Sequence, residues 1–403
     1  MAELNRTLNL SQCVFFGVGS ILGAGIYTLL GKVAGWAGNM TWFSFLIASF
    51  TAFFTALSYA ELSSAMPKAG GEYVYAKRTF GKTTGTVLGF LISTNGIISG
   101  ATVSLGFAGY FFKLVEASEL LVSLGIIGLL FLVNVSGIRQ SSVVNIVFTL
   151  IEAAGLLLVI YVAFPFIGSV NYLEMPEKGM NGLFTAAALG FFAYIGFEEI
   201  VKLAEEAKQP EKTIPRALFI ANGIVAIMYM LVAICAVSAI SAQQLGQSQS
   251  PLADVVGSRL GRSAVTAISI IALFSTANTI LSNMLGSSRV LLDMSREIKW
   301  LKRISYVSPK RKTPVSALVL ILVVMSLFAL IGEIETIARI ANLFIFTTFL
   351  VINLCVIVLR FKEKNMRRPY RMPVNIGNVP LFSVAAIFLT LLLLIYNVIA
   401  LAG

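Results

Sequence analysis

Residues 17–27 read GVGSILGAGIY, and this stretch decides the fold. Four glycines, Gly17, Gly19, Gly23 and Gly25, crowd the middle of an apolar run. Backbone that is freed from helical bonding in lipid must be satisfied by other groups, so a broken span survives where it lines a cavity. The alternative is that the glycines let neighbouring helices pack closely. Their density favours a transmembrane helix that is broken at a polar cavity.

A second apolar run has a similar interruption. Residues 190–199 read GFFAYIGFEE, with Gly190 and Gly196 on either side of a short aromatic stretch. This run is the sixth along the chain, five after the first, which is the pattern of two inverted five-helix repeats with a site between them. Of the carboxylates that follow, Glu198 and Glu199, we expect one to bond free amides across the break and the other to face solvent.

The composition supports a membrane protein. The 403 residues are 57% hydrophobic and 12% charged, with a mean hydropathy of +0.88. This is more apolar surface than one globular core could bury, which disfavours a soluble enzyme. Runs long enough to cross a bilayer lie near 13–33, 41–63, 84–112, 119–136, 143–164, 181–202, 215–240, 263–288, 315–332, 336–359 and 380–401.

These eleven runs predict an all-α integral membrane protein. The first run is followed by ten more and no cleavage pattern, so it is the first span and not a signal peptide. The connections leave no room for a soluble domain. We therefore expect one transmembrane domain over 1–403, with a first repeat at about 10–165, a second at about 180–360 and an extra span at about 380–401.

The positive charges predict the orientation. With the N-terminus inside, most of the 30 Lys and Arg residues fall in cytoplasmic segments, as the positive-inside rule requires. The extracellular segments contain only six Lys and Arg residues, namely Lys32, Lys113, Lys178, Arg259, Arg262 and Arg339. The net charge of +11 thus orients the chain in a lipid bilayer, and no nucleic-acid partner is expected. An odd number of spans places the C-terminus outside.

Several kinds of chemistry are missing from the sequence. There is no His, and Cys13, Cys235 and Cys355 are scattered singly, so no metal site or disulfide framework is predicted. No phosphate-binding GxxxxGK[ST] motif and no nucleophile beside a base occurs, which disfavours ATP-driven transport and hydrolysis. We expect neither catalytic residues nor a cofactor, apart from a coupling sodium ion or proton.

Glu152 is the clearest candidate for ion coupling. It lies in a long apolar run with no other charge between Arg139 and Glu174. Intramembrane carboxyls are expensive and are functional candidates by default. Glu152 is either a proton carrier, a cation ligand or a structural group that stays protonated. Glu61, at the end of the second run, is expected to meet interfacial water and to have a structural role.

Polar residues on other spans are candidate cavity walls. Each of them either faces the cavity or bonds to its own helix backbone, as Ser and Thr often do. They are Ser93, Thr94, Asn95, Ser275, Thr276, Asn278 and Asn342.

Four motifs in order resemble those of the amino acid–polyamine–organocation superfamily, in its branch of prokaryotic amino acid permeases. The first is GVGSILGAGIY. The others are YAELSSAMPKAGGEYVYAKRTFG (residues 59–81), FFAYIGFEEIVKLAEEAKQPEKTIPRAL (191–218) and SSRVLLDMSRE (287–297). The resemblance covers most of the chain and implies a leucine-transporter-type fold with five-plus-five inverted repeats.

The resemblance also implies a substrate site. Backbone amides at Ala24 and Gly25 would bind the substrate carboxylate, as helix N-termini favour anions. Carbonyls at the two breaks would bind the ammonium group, and Phe192 would close over the substrate. The residues implied in substrate binding are Ile21, Gly23, Ala24, Gly25, Phe192, Ala193, Ile195 and Gly196.

The chain departs from the family pattern in two places. Many members carry a fifth-span Lys whose ammonium takes the place of a sodium ion, whereas Glu152 stands there by span register. Sodium bound near Glu152, Ser275 and Thr276 and proton symport through Glu152 both remain open. Twelve spans are usual in the family, and eleven are predicted here.

We therefore expect a secondary transporter that moves amino acids by alternating access, through symport or exchange. One alternative is a polyamine or organic-cation permease, which would need several carboxylates in its cavity. The other is a sensor that binds an amino acid on the same fold without moving it. No oligomeric state follows from the sequence.

Overall fold

The computed structural model describes residues 6–112, 114–248, 250–330 and 334–402. Its helices are α1 (Leu10–Leu22), α2 (Ala24–Ala37), α3 (Thr41–Ala65), α4 (Glu72–Phe80), α5 (Lys82–Phe112), α6 (Glu119–Ser136), α7 (Ile138–Ala163), α8 (Gly179–Gly190), α9 (Glu199–Lys202), α10 (Pro210–Ala239), α11 (Ala242–Gln247), α12 (Pro251–Leu260), α13 (Arg262–Glu297), α14 (Val315–Ala329), α15 (Ile334–Lys362) and α16 (Leu381–Ala402). Two short strands, β1 (Asn375–Ile376) and β2 (Val379–Pro380), pair antiparallel before α16.

Helices cover every apolar run that the sequence predicts to cross a membrane. Nine stretches of the described chain are long and apolar enough to do so, and α1 and α14 are shorter apolar helices. Residues 331–332, at the end of the ninth predicted run, lie outside the described residues. The prediction of an all-α membrane protein is confirmed.

Both predicted interruptions are present. Gly23 separates α1 from α2 with φ −32° and ψ −153°, far from helical values. After α8 the chain forms a 3-10 turn at Phe191–Tyr194, and Ile195 is extended. Gly196 then has φ +127° before α9 begins. This is a conformation that glycine adopts far more readily than other residues.

The broken helices lie inside the bundle, with α10 packed on α3 and α1, and α13 on α5 and α7. The outward faces of several long helices instead carry exposed large apolar side chains, such as Leu132, Leu157 and Phe388. An apolar surface of this extent would be costly in water, whereas in a bilayer it contacts lipid. Burial inside and apolar exposure outside therefore agree with a membrane-embedded bundle.

The expectation that Glu61 meets interfacial water is wrong. Its carboxylate is buried, accepts from both Nε and Nη2 of Arg360 and lies 3.4 Å from Arg368 Nε. The Met372 amide also donates to it, at 2.9 Å. A buried charge needs such compensation. Here the bonds of the Glu61 carboxylate connect the end of α3 to α15 and to the segment before β1.

Candidate functional site

The two breaks pack against each other through glycines. A Cβ at Gly25 would overlap the backbone of Ala193, and a Cβ at Gly196 would overlap the carbonyl of Ser20. A Cβ at Gly23 would overlap Thr279 of α13. These close approaches explain why the glycines of the first break and Gly196 are needed, beyond weakening a helix.

A small cavity of about 20 Å³ lies between the breaks. The described residues that line it are Ser20, Ile21, Gly23, Gly25, Ser99, Phe192, Ile195, Thr279 and Asn283. Five of the eight predicted substrate-binding residues are among them. Ala193 and Gly196 pack against the first break instead. Ala24 begins α2, and its side chain lies outside the described residues.

The start of α2 offers hydrogen-bond donors at this cavity. Gly23 is its N-cap residue and supplies no side-chain cap. The first amides of a helix lack intrahelical acceptors, and the positive end of the helix dipole lies there, so this end favours an anion. Gly25 lines the cavity, and its missing side chain lets a ligand approach the backbone.

Two serine hydroxyls add polar groups that sequence reasoning missed. Ser20 and Ser99 line the cavity, are buried and make no hydrogen bond to any residue that the structure describes. Buried hydroxyls usually have a partner, so these two are available to a ligand. Ser20 lies within the glycine-rich signature, which could have identified it. Ser99 is one turn beyond Asn95 and has no such signal.

The other polar candidates lie away from this cavity. The Ser93 carbonyl accepts from Ser287 at 3.3 Å, and Asn95 is buried. Asn342 donates to the Ala188 carbonyl at 3.1 Å and so ties α15 to α8. Thr94 is not among the residues that line the cavity.

Tyr229 of α10 connects the carbonyls of the two breaks. Its hydroxyl lies 2.6 Å from the Ile21 oxygen and 3.0 Å from the Ala193 oxygen, and both residues are predicted to bind the substrate ammonium. Each carbonyl has a second lone pair, so neither is lost to a ligand. The side chain is fully buried, with its ring 5.1 Å from that of Tyr194. Tyr229 therefore sets the position of one break relative to the other.

We expect the substitution Tyr229→Phe to loosen this connection. It removes the hydroxyl, whose single proton is shared by the two buried carbonyl oxygens, and the loss of this donor costs about 1–3 kcal/mol in unfolding free energy. Thermal unfolding of the purified protein measures the loss. Tyr161→Phe is the matched control, because Tyr161 is 79% exposed and its hydroxyl bonds to no described residue. Equal unfolding temperatures for the two variants would contradict this role.

Glu152 belongs to α7 and is fully buried where this helix faces α13. Ser275 donates to Oε1 at 2.5 Å, and Asn278 lies 3.5 Å from Oε2. The Tyr27 hydroxyl donates to the Glu152 backbone carbonyl at 2.9 Å. Thr276 instead donates to carbonyls of its own helix. Within the described chain no Lys or Arg pairs with Glu152. A negative charge on its carboxyl would therefore be balanced only by the dipoles of its hydrogen-bond partners.

The surroundings of Glu152 also contact the first break. Asn278 donates to the Thr149 hydroxyl at 3.1 Å, and a Cβ at Gly19 would overlap both of these side chains. One residue along, Thr279 lines the cavity. A movement of α1 would therefore change the environment of Glu152, which links the carboxyl to the cavity through packed groups.

Segments pack together on both sides of the cavity. On one side α2 packs on α11, where a Cβ at Gly31 would overlap the Leu245 carbonyl. On the other, the Thr7 and Leu8 amides both donate to the Glu206 carbonyl at 2.9 Å. The Glu206 carboxylate pairs with Arg289 of α13 at 3.1 Å, and both side chains are buried.

Glu198 and Glu199 differ in their contacts. Glu198 accepts from the Gly196 amide at 2.9 Å, so one carboxylate bonds a free amide of the break, as predicted. The expectation that the other faces solvent is wrong, because Glu199 is buried and forms an ion pair with Lys202. Lys202 is buried as well, although the sequence places it in a charged connection.

A helical membrane bundle with two broken helices around a small polar cavity has the features of a membrane transporter. The family model described as amino acid permease matches residues 8–400 of this chain. The chain belongs to this family, and it is a multi-pass membrane permease for amino acids.

Individual relatives cover most of the chain. It is 28% identical to the branched-chain amino acid permease BcaP of Bacillus subtilis, over 98% of this chain and 88% of the relative. It is also 28% identical to the methylthioribose transporter of the same organism, over 92% and 85% of the two chains. The vacuolar cationic amino acid transporter 4 of Arabidopsis thaliana is 28% identical over 89% of this chain and 64% of its own length.

Proposed function

We propose that the protein is a proton-coupled secondary transporter for small neutral amino acids of the branched-chain class. The observation that carries the substrate class is the lining of the cavity. Ile21, Phe192 and Ile195 supply apolar surface, and none of the described residues that line the cavity is charged. A cationic amino acid or a polyamine would need carboxylates there. The name of the Bacillus subtilis permease BcaP agrees with this choice.

Both ends of an amino acid backbone would have partners at the breaks. The amides of Ala24 and Gly25 would bind the substrate carboxylate, because α2 begins there without a cap. The carbonyl of Ile21, which lines the cavity, would accept from its ammonium group in addition to Tyr229. Phe192 would cover the bound molecule, and the free hydroxyls of the cavity would bond to it.

Coupling would run through Glu152. Burial disfavours an uncompensated carboxylate, so Glu152 would bind a cation or a proton while enclosed. A sodium site would need several oxygen ligands, and Thr276, one of those predicted, is bonded to its own helix. A proton needs none of these ligands and is therefore our first choice. Sodium bound beside Glu152 and Ser275 is the second candidate.

The transport cycle would be alternating access in a leucine-transporter-type fold with eleven spans and two inverted repeats. The paired breaks support it, and so do the segments that pack together on both sides of the cavity. The cytoplasmic N-terminus and extracellular C-terminus follow from the distribution of Lys and Arg. On this orientation the Arg289–Glu206 pair is on the cytoplasmic side. A sensor on the same fold would bind substrate without flux.

Ligand stabilisation of the purified protein tests the substrate class. We expect leucine, isoleucine or valine to raise the unfolding temperature, because a ligand at about 100 times its Kd stabilises by about 2.7 kcal/mol. Lysine, arginine and putrescine should have no effect, and sodium should not be required. Stabilisation by a cationic amino acid alone would contradict the proposal. Stabilisation that strictly needs sodium would favour the second candidate.

A further inference from the structure

A second group of buried charges lies beside the sixth-span break and outside the cavity. We call it the carboxylate cluster, and it consists of Glu72 on α4, Glu198 and Glu199 at the start of α9, and Lys202 at its end. Their exposed fractions are 0%, 2%, 2% and 1%. Three acids and one base are therefore enclosed together, without access to bulk water.

The hydrogen bonds in the carboxylate cluster leave specific oxygens unused. Lys202 pairs with Glu199, and the Tyr59 hydroxyl donates to Glu72 Oε1 at 3.1 Å. Oε2 of Glu72 and Oε2 of Glu199 are buried and make no hydrogen bond to the part of the chain that the structure describes. The fully buried Tyr75 hydroxyl, on the same helix as Glu72, also has no described partner.

The helix opposite leaves room for the Glu199 carboxylate. A Cβ at Gly286 of α13 would overlap Glu199 Oε2, so that oxygen occupies the place of a missing side chain. The charged residue that follows on this helix, Arg289, is paired with Glu206. Among its described side chains, α13 therefore places a close-fitting surface against the carboxylate cluster and no unpaired cation.

The charges of the carboxylate cluster do not balance if every group is ionised. Three carboxylates and one ammonium carry a net charge of −2. The groups that face them are Tyr59 from α3 and Tyr75 from α4, and neither is a cation. Uncompensated buried charge is far more costly than a neutral carboxylic acid. Burial raises the pKa of the Glu72 carboxyl above its ordinary value, and Lys202 opposes this shift.

We propose that the carboxylate cluster is a proton-binding site, separate from Glu152, which holds at least one proton among its three carboxyls in this structure. The proton comes from water and forms an O–H bond on a carboxylate oxygen. No group is oxidised or reduced. The resulting hydroxyl is an additional hydrogen-bond donor within the carboxylate cluster.

The site would respond to opening of the cytoplasmic side, a step that rests on the proposed function. α9 belongs to the broken sixth span, whereas α4 lies in the connection between α3 and α5. Separation of α9 from α4 and α13 would admit water, and hydration favours the ionised carboxylate. The proton would then leave toward the cytoplasm. Proton binding would therefore favour the closed arrangement.

Infrared spectra of the purified protein in lipid at neutral pH test for the bound proton, because a protonated carboxyl has its own C=O stretching band. We expect Glu72→Gln and Glu199→Gln each to lower this band by one carboxyl per molecule. Either variant should lose the band, whichever acid holds the proton in the wild type, because each variant leaves two carboxylates beside one ammonium group. Lys202→Met should raise the band by one carboxyl, because it removes the single positive charge.

Glu363→Gln is the matched control, because Arg78 lowers the pKa of this partly exposed carboxyl and keeps it ionised. Its band should equal that of the wild type. Wild-type intensity in both Glu72→Gln and Glu199→Gln would overturn the proposal, since all three acids would then be ionised. If Lys202→Met does not fold, the two Gln variants decide. The band needs no substrate, so failure of transport leaves this result interpretable.

Discussion

We expect Glu152→Gln to abolish concentrative uptake while amino acid exchange continues. The substitution keeps the size of the side chain and its bond to Ser275, but it removes the group that gains and loses a proton. One pH unit is worth about 1.4 kcal/mol, so one coupled proton supports about tenfold accumulation. In vesicles with a pH difference of about one unit, we expect the variant to lose this accumulation. Radiolabelled isoleucine is the probe.

Counterflow in the same vesicles measures exchange, which needs no net proton movement. We expect it to persist in Glu152→Gln, since the cavity residues are untouched. Glu119→Gln is the matched control, because Glu119 is exposed at the start of α6. It should behave as the wild type in both assays. Unchanged concentrative uptake by Glu152→Gln would assign Glu152 a structural role.

The substitution Gly196→Ala has a large expected effect on both stability and binding. A Cβ there would overlap the Ser20 carbonyl, and φ is +127°, where other residues are strained. Strain and overpacking together should cost about 2–5 kcal/mol in unfolding free energy. The second break would also be pushed away from the first. We expect a lower unfolding temperature and loss of isoleucine stabilisation in the protein that still folds.

Gly223→Ala makes the same chemical change on α10, in a regular helix with open space around the position. Alanine is a better helix former than glycine by about 0.5–1 kcal/mol, so this control should be neutral or slightly stabilising. If both variants lost stability equally, the close packing of the two breaks could not be the reason for Gly196.

Local patterns predicted the breaks correctly. The interruption at Gly23 and that before Glu199 were visible because glycines weaken a helix where they stand, whatever the rest of the chain does. The sequence also showed that Glu152 stands alone among apolar residues, because those neighbours belong to its own helix and are close to it in the chain. The structure adds Ser275 and Asn278 as hydrogen-bond partners, whereas the sequence offered Ser275 only as part of a possible sodium site near Glu152.

Long-range contacts were beyond sequence reasoning. Tyr229 lies 208 residues from Ile21, and a single tyrosine in an apolar helix has no pattern that marks it. The burial of Glu61 depends on Arg360, which is 299 residues away. Glu61 was expected to meet water at the end of its span, and this expectation failed because its partner comes from another part of the chain.

Saturable uptake of isoleucine into vesicles that contain only this purified protein tests the central claim most directly. With an inwardly directed proton gradient and no sodium, the account predicts accumulation that collapses when the gradient is dissipated. The same vesicles should not accumulate lysine or putrescine. Binding of isoleucine without any flux, under either a proton or a sodium gradient, would contradict transport and identify a sensor on the same fold.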